Sequence, residues 1–191
     1  MNIAIIQSRM GSQRLPGKMI RKIGRYSLIE WVIIRLKKSK LVNKIILATS
    51  NKKQDIIFKN ICKKLKIDFF AGKESDVLGR FVNSVKKLKK ANIIRICADN
   101  PFIDPIQVDR LISFYSKNRF DYVCNHQNRL NSMYADGFGA EILSLNILRK
   151  INLLAISKIY REHVTLYIWK NKKKFRIHSL KASKNLAYPY L

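Results

Sequence analysis

Asn2-Ile3-Ala4-Ile5-Ile6-Gln7 runs directly into Ser8-Arg9-Met10-Gly11-Ser12-Gln13-Arg14-Leu15-Pro16-Gly17-Lys18. The first six residues are nearly continuous Ile and Ala, the composition of a strand buried on both faces; a half-exposed strand would alternate with polar residues. The segment that follows carries two glycines and three basic side chains, so its backbone can approach an anion closely and its amides can hold phosphate oxygens. Arg9 and Arg14 suit bidentate phosphate contacts, and Lys18 supplies a point charge. The Gly-Lys-Ser/Thr ending of a P-loop is missing, which excludes that motif. An ordinary basic surface loop has the same composition, and composition alone does not separate the two.

Outward from this stretch the pattern alternates. Residues 26–38 place Leu28, Trp31, Val32 and Leu36 at helical spacing, and residues 44–49 read as a second strand. Residues 54–65 form an amphipathic helix with Ile57, Ile61 and Leu65 on one face, followed by a short strand over 68–70. The next helix, 76–90, carries Leu78, Phe81, Val82, Val85 and Leu88 as its stripe. Residues 92–98 are the fourth strand, Pro105 opens a helix over 105–116, and 121–124 are the fifth strand. Beyond that the alternation loosens into a strand at 139–143, helices at 146–151 and 158–170, and a late strand at 175–180. There is no internal repeat and no linker. The βαβαβ order predicts an α/β fold, a Rossmann-like three-layer sandwich with a mostly parallel sheet, as a single domain over residues 1–191. In such sheets the ligand crevice lies beyond the carboxyl ends of the strands.

The charge balance sets the partners to be considered. Lys and Arg number 39 against 12 Asp and Glu, a formal net charge of +27, which suggests a polyanion such as nucleic acid. Yet 47% of the residues are apolar and 10% aromatic, with 7 Gly and 4 Pro, so the chain folds rather than forming a disordered basic tail. Apolar stretches such as residues 31–34 are too short to span a bilayer, so no membrane segment is expected. The amino terminus enters its apolar run without a basic region and continues into Gln7 and Ser8, so no signal peptide is expected. Cys62, Cys97 and Cys124 are odd in number and widely spaced, which suits neither a disulfide framework nor a zinc site. They read as buried small hydrophobes in a reducing compartment, and the expected location is cytoplasmic.

The fourth strand carries Arg95-Ile96-Cys97-Ala98 into Asp99-Asn100-Pro101 and then Asp104-Pro105. Pro101 stops further pairing and Pro105 can open the next helix, which makes Asp104 a helix N-cap. Asp99 is left at the carboxyl end of a strand, where a hard oxygen ligand can bind Mg²⁺ shared with substrate phosphates. Its position opposite a basic phosphate loop, in a chain with so few acids, favours that role over a plain turn aspartate.

These stretches together resemble the sugar nucleotidyltransferases, especially the cytidylyltransferases that activate acidic sugars. That group includes the 3-deoxy-manno-octulosonate and N-acylneuraminate enzymes and the spore-coat polysaccharide biosynthesis protein F branch, which these stretches especially resemble. The likeness runs through six motifs in order: the first loop, Ser75-Asp76-Val77-Leu78-Gly79-Arg80-Phe81, Arg95 to Pro105, Asp121-Tyr122-Val123-Cys124-Asn125, Asp136-Gly137, and Arg161-Glu162-His163-Val164-Thr165. The resemblance implies a sheet of the nucleotide-diphospho-sugar transferase type. It further implies transfer of CMP from CTP to an acidic sugar with release of pyrophosphate, for polysaccharide or glycan synthesis, with Mg²⁺ as cofactor and a homodimer as an allowed assembly. Arg9 and Lys18 would grip the triphosphate, with Met10, Gly11, Ser12 and Arg14 completing the loop. Ala48, Thr49, Asp76 and Arg80 would lie at the base, although Asp76 also suits a plain N-cap and Phe81 the core. Asp99 would hold the catalytic metal. Asn125, Asp136, Glu141, Arg161, Glu162 and His163 would face the acceptor, although from the sequence alone His163 reads more readily as a structural hydrogen bond between helix and sheet.

Three departures from the family pattern matter. Ala135 and Leu166 stand where relatives usually show Pro, a change in loop rigidity rather than chemistry. Gly139 stands where the nearest relatives tend to carry an acid. Relatives also continue into a strand whose acid supplies a second metal ligand, and residues 188–191 end just short of it. A domain without that segment would rest Mg²⁺ on Asp99, phosphate oxygens and water, unless Asp136 or Glu141 compensates. Two rivals remain: a glycosyltransferase of similar fold using a sugar nucleotide, and a basic nucleic-acid-binding protein. The triple-cation loop fits a free triphosphate better than a diphosphate sugar. Acids at the predicted crevice and the lack of a basic–aromatic stacking motif argue against specific nucleic-acid binding.

Overall fold

The computed structural model describes residues 1–11, 15–126, 129–135 and 137–182. Strand β1 (Asn2–Gln7) is followed by a small hairpin of β2 (Lys22–Ile23) and β3 (Tyr26–Ser27), then α1 (Leu28–Leu36) and β4 (Lys44–Ser50). Next come α2 (Ile57–Lys64), β5 (Asp68–Gly72), α3 (Val77–Ser84), β6 (Asn92–Cys97), α4 (Pro105–Lys117) and β7 (Tyr122–Cys124). The chain continues with β8 (Glu141–Ser144), α5 (Leu145–Leu154), α6 (Lys158–Glu162), α7 (Leu166–Lys170) and β9 (Ile177–Ser179).

Seven strands form one sheet in the order β5-β4-β1-β6-β8-β7-β9. All neighbours pair parallel except β8, which runs antiparallel to β6 and to β7. The reading of β1 as buried on both faces follows from its two environments. Ala4 and Ile6 pack with α1, α2 and α4, while Ile3 and Ile5 pack with α3 and α5. This is the three-layer, mostly parallel sandwich expected from the alternation. The strand order reverses between β1 and β6, so a crevice opens at their carboxyl ends.

Three local outcomes differ from the sequence reading. The helix expected over 76–90 stops at Ser84, ahead of four lysines in five residues. Lys86 and Lys90 would stand four apart on one helix face, where like charges repel. The helix expected over 158–170 is split, with His163 extended at φ −108° and ψ 93° and the buried Val164 and Thr165 between α6 and α7. At the break, Thr165 Oγ1 donates to the buried Glu141 at 3.2 Å, a tertiary hydrogen bond that holds this segment against the sheet. Finally, Cys97 is only half-buried, unlike Cys62 and Cys124. Burial, with the Asp68 charge second, pushes the Cys62 thiol up to about 12, so it stays protonated and inert.

Gly139 has a packing reason for its departure from the family pattern. A Cβ built there would lie 1.8 Å from the Asn125 carbonyl oxygen, a backbone atom that cannot rotate away. Asn125 Oδ1 also accepts the Ala140 N–H at 2.9 Å, locking the two segments together. Gly139→Ala is therefore expected to destabilise the fold by more than about 2 kcal/mol. Chemical denaturation checks this, and an unchanged midpoint would refute the close approach.

Candidate active site

Two loops face each other across the β1–β6 reversal. After β1, Leu15-Pro16-Gly17-Lys18 makes a tight turn in which the Lys18 N–H donates to the Leu15 carbonyl at 3.2 Å. Gly17 sits at φ 68° and ψ 14°, the left-handed third position of a type II turn, and Pro16 pre-sets the second. The turn aims Lys18 back over the sheet. After β6, Asp104 caps α4 by accepting the Ile106 N–H at 2.9 Å, with Pro105 in the first helical turn, as expected. Asp99 sits on the short bend between. Lys18 Nζ donates to Asp99 Oδ2 at 2.8 Å, joining the basic loop to the acidic one. Burial alone would raise the Asp99 carboxyl, but the Lys18 hydrogen bond and charge outweigh it and hold the group below its usual range.

The first loop has an anchor that no sequence motif announced. Asp55 is 1% exposed, accepts the Met10 N–H at Oδ1 at 2.8 Å, and takes the Ser50 hydroxyl at Oδ2. Its carboxylate thus fixes where the loop leaves β1. Asp55 lies in a one-turn 3₁₀ segment before α2, and an acid in such a turn ordinarily reads as solvated.

A crevice of about 1410 Å³ opens along these loops and is walled on the far side by α6. Among the described residues, eight Lys or Arg and four Asp or Glu side chains line it. Three of those acids are already paired: Asp99 with Lys18, Glu74 with Lys52 at 2.6 Å, and Asp76 with Arg161 at 2.6 Å. The crevice is therefore strongly positive, as a polyphosphate site needs to be. Arg9, Gly11, Lys18, Asp76, Arg80, Asp99, Arg161, Glu162 and His163 all line it, so most of the expected residues converge from four separate segments.

Others have different places. Ala48 and Thr49, expected at the base, are fully buried inside β4, because that strand has neighbours on both edges and helices on both faces. Lys52 and Gln54, just beyond that strand, line the crevice instead. Arg80 is 2% exposed and donates to the Lys73 and Glu74 carbonyls at 3.4 and 3.2 Å, so it ties down a crevice wall. Burial, then the nearby Arg9 charge, pull its pKa down. Phe81 is core, as expected.

The acceptor side is corrected in the same manner. Asn125 is buried, its Nδ2 donating to the Gln107 carbonyl at 2.8 Å and its Oδ1 holding Ala140, so it braces the sheet rather than facing a ligand. Glu141 is 1% exposed on β8 and ion-paired with Arg95 at 2.7 Å; with its carboxylate inside the sheet, it cannot stand in as an open metal ligand. Arg161 gives Nε and Nη2 to Asp76 at 2.8 and 2.9 Å and Nη1 to the Asn152 carbonyl at 3.0 Å. Asp76 also caps α3 through the Gly79 N–H at 2.8 Å. Burial would raise the Asp76 carboxyl, yet Arg161 holds it below its usual range. Arg161 is thus a brace between α3 and α6, its charge already balanced. Arg95, to which the sequence motif assigns no role, also lines the crevice.

Ser12, Arg14 and Asp136, and residues 188–191, lie outside the described residues. Among the described residues no group of three or more His, Cys, Asp or Glu is placed to hold a metal. Asp99 fits a hard divalent cation in one way only: as a single carboxylate ligand, with the remaining oxygens supplied by a bound polyphosphate and water. Its side chain is 47% exposed towards the crevice, so such a ligand can reach it. Among the described residues no helix is long and apolar enough to cross a membrane.

A family model described as cytidylyltransferase matches residues 3–188. The spore coat polysaccharide biosynthesis protein SpsF of Bacillus subtilis is 36% identical over 190 residues, covering 97% of this chain and 77% of that protein. Among solved structures, a cytidylyltransferase from Leptospira borgpetersenii superposes with a TM-score of 0.89 at 27% identity, covering 98% of this chain and 79% of that one. A CMP:2-keto-3-deoxy-manno-octonic acid synthetase complexed with CTP shares the fold at a TM-score of 0.70 and 16% identity, covering 95% of this chain and 91% of that one.

Proposed function

The chain belongs to the cytidylyltransferase family, and from that premise we propose that it transfers CMP from CTP to a hydroxyl of an acidic sugar, releasing pyrophosphate, in the synthesis of a surface polysaccharide or glycan. The observation that carries this reading is the Lys18–Asp99 pair, set 2.8 Å apart across the β1–β6 reversal in a strongly basic crevice. Transfer of a nucleotidyl group leaves little covalent chemistry to the protein. It requires in-line placement of the attacking oxygen and cations around the transferring and departing phosphates.

Each residue has a place in that scheme. Arg9 and Lys18 stand on the β1 side, where the departing pyrophosphate gathers charge. Asp55 keeps the loop in position through Met10. Asp99 is the residue that would hold Mg²⁺, and a bound ion supplies charge neutralisation at the α-phosphate and acidifies the attacking hydroxyl. Glu162 at the end of α6 and His163 just after it face the crevice opposite the phosphate loop, where the acceptor would lie. The relatives named for polysaccharide synthesis and for an octonic acid synthetase support the acidic acceptor, as does the surplus of cations over what a triphosphate needs.

Thermal stabilisation against the four nucleoside triphosphates with Mg²⁺ tests the nucleotide. A shift selective for CTP is expected. Equal shifts with all four would leave a triphosphate site without base selection and would overturn the assignment to CTP.

A further inference from the structure

Arg95 interrupts an otherwise apolar run, Ile93-Ile94-Arg95-Ile96-Cys97, in a strand at the heart of the sheet. A guanidinium there costs desolvation, so what surrounds it is informative. On one side is Glu141, its register partner on β8, whose Oε2 accepts from Arg95 Nη1 at 2.7 Å. Glu141 is itself held in place: the Tyr122 hydroxyl donates to Oε1 at 2.7 Å, and Thr165 Oγ1 lies 3.2 and 3.3 Å from its two oxygens. Trp169 Nε1 donates in turn to the Tyr122 hydroxyl at 3.2 Å. On the other side is the crevice, which Arg95 lines together with Cys97, two positions on and therefore on the same strand face. The Arg95 side chain is 16% exposed, and among the described residues its Nε has no hydrogen-bond partner. Burial works against its charge, but Glu141 outweighs that and raises its pKa, so Arg95 is a fixed cation.

Position separates this cation from the phosphate site. Strand β6 has β1 on one edge and β8 on the other. Arg9 and Lys18 belong to the β1 side, whereas Arg95 leans towards β8 and the segment that carries α6. Arg161, the cation the sequence pointed to for an acidic acceptor, is already neutralised by Asp76. An acidic acceptor entering between Asp99 and α6 would meet Arg95 on the sheet, with the exposed Lys158 of α6 on the opposite wall.

We propose that Arg95, positioned by Glu141, forms a second anion site in the crevice and receives the carboxylate of the acceptor sugar, apart from the triphosphate loop. This rests on the acidic-acceptor reading. The buried carboxylate of Glu141 fixes the fork, and the donors it leaves over are those a planar carboxylate matches. Such a site selects acidic over neutral sugars, because a neutral sugar would leave a covered N–H donor unpaired.

The test is the kinetics of pyrophosphate release with CTP, Mg²⁺ and either 3-deoxy-manno-octulosonate or N-acetylneuraminate. Two variants are compared with the wild-type protein: Arg95→Lys, and the double variant Arg95→Gln/Glu141→Gln, which removes the pair together and leaves no buried charge alone. The expected result is a rise of about 10- to 100-fold in KM for the acid in the double variant, and a smaller rise in Arg95→Lys. KM for CTP and the CTP-induced thermal shift stay within about twofold of the wild type, since those report the β1 side. A rise in KM for CTP instead, or an acceptor KM that does not move, overturns the carboxylate site. A wild-type enzyme that turns over neither acid overturns the acidic-acceptor reading itself, a failure distinct from that of Arg95.

Discussion

Lys18→Ala is expected to lower kcat/KM for pyrophosphate release from CTP by about a thousandfold, or roughly 4 kcal/mol of transition-state stabilisation. The size follows from where the charge develops. Bond cleavage at the α-phosphorus moves negative charge onto the departing pyrophosphate, and a cation already fixed at that point needs no reorganisation as it forms. Lys18 is held by the backbone turn that Pro16 and Gly17 shape and by its ion pair with Asp99 at 2.8 Å. Lys18→Arg keeps the charge but replaces a compact ammonium with a planar fork, so a partial loss is expected. The pH profile gives a second, independent sign. Lys18 holds the Asp99 carboxyl below its usual range against the opposing effect of burial. Removing Lys18 removes that restraint, so Asp99 ionises at a higher pH and the acid limb of kcat/KM moves upward. A Lys18→Ala enzyme with the wild-type rate and an unmoved acid limb would show that the ammonium plays no part.

The parts of this site that were legible in the sequence are those where local chemistry and position along the chain agree. Strand β1 was readable because an apolar run buried on both faces has no polar alternative, and the position of Asp99 at a strand end because Pro101 stops the strand just beyond it. Asp104 was readable as a cap because Pro105 opens the helix after it. What was hidden depends on partners distant in sequence. The role of Arg161 turns on Asp76, 85 positions away, and the burial of Glu141 turns on Arg95, 46 positions away. A four-residue strand such as β8 says nothing of its direction, yet that direction brings Glu141 opposite Arg95 and removes it from the acceptor. Ala48 and Thr49 sit at a strand's carboxyl end and so resemble site residues, but the layers on both faces of β4 cover them. The +27 charge is likewise informative only once the crevice is known. Eight of the basic side chains described line it, and the Lys-rich tracts after α3 and α7 lie outside it. Their contribution is a long-range field that speeds capture of anionic substrates and weakens with added salt.

Asp99→Asn is the sharper test, because it separates chemistry from architecture. The substitution keeps the shape of the side chain and removes its charge. The structural loss is small: the Lys18 and Asp99 side chains are 25% and 47% exposed, and a solvent-exposed pair of that kind contributes about 1 kcal/mol or less. The thermal midpoint is therefore expected to stay within a few degrees of the wild type. Turnover, by contrast, is expected to fall by about a thousandfold, because among the described residues no three-residue set of His, Cys, Asp or Glu is placed to hold a metal in its stead. Glu141 cannot move in, since its carboxylate is inside the sheet and ion-paired with Arg95. Binding gives a readout that does not depend on turnover. In the wild type, CTP should stabilise the protein more with Mg²⁺ than without it; in Asp99→Asn the two shifts should converge, while Lys18, freed from its partner, still attracts the triphosphate. A variant that keeps full turnover and the Mg²⁺-dependent shift would place the metal ligand elsewhere in the chain. A variant that loses both together with its fold would show the pair to be structural. The expected combination is an intact midpoint, converging shifts and lost turnover, which neither of those alternatives produces.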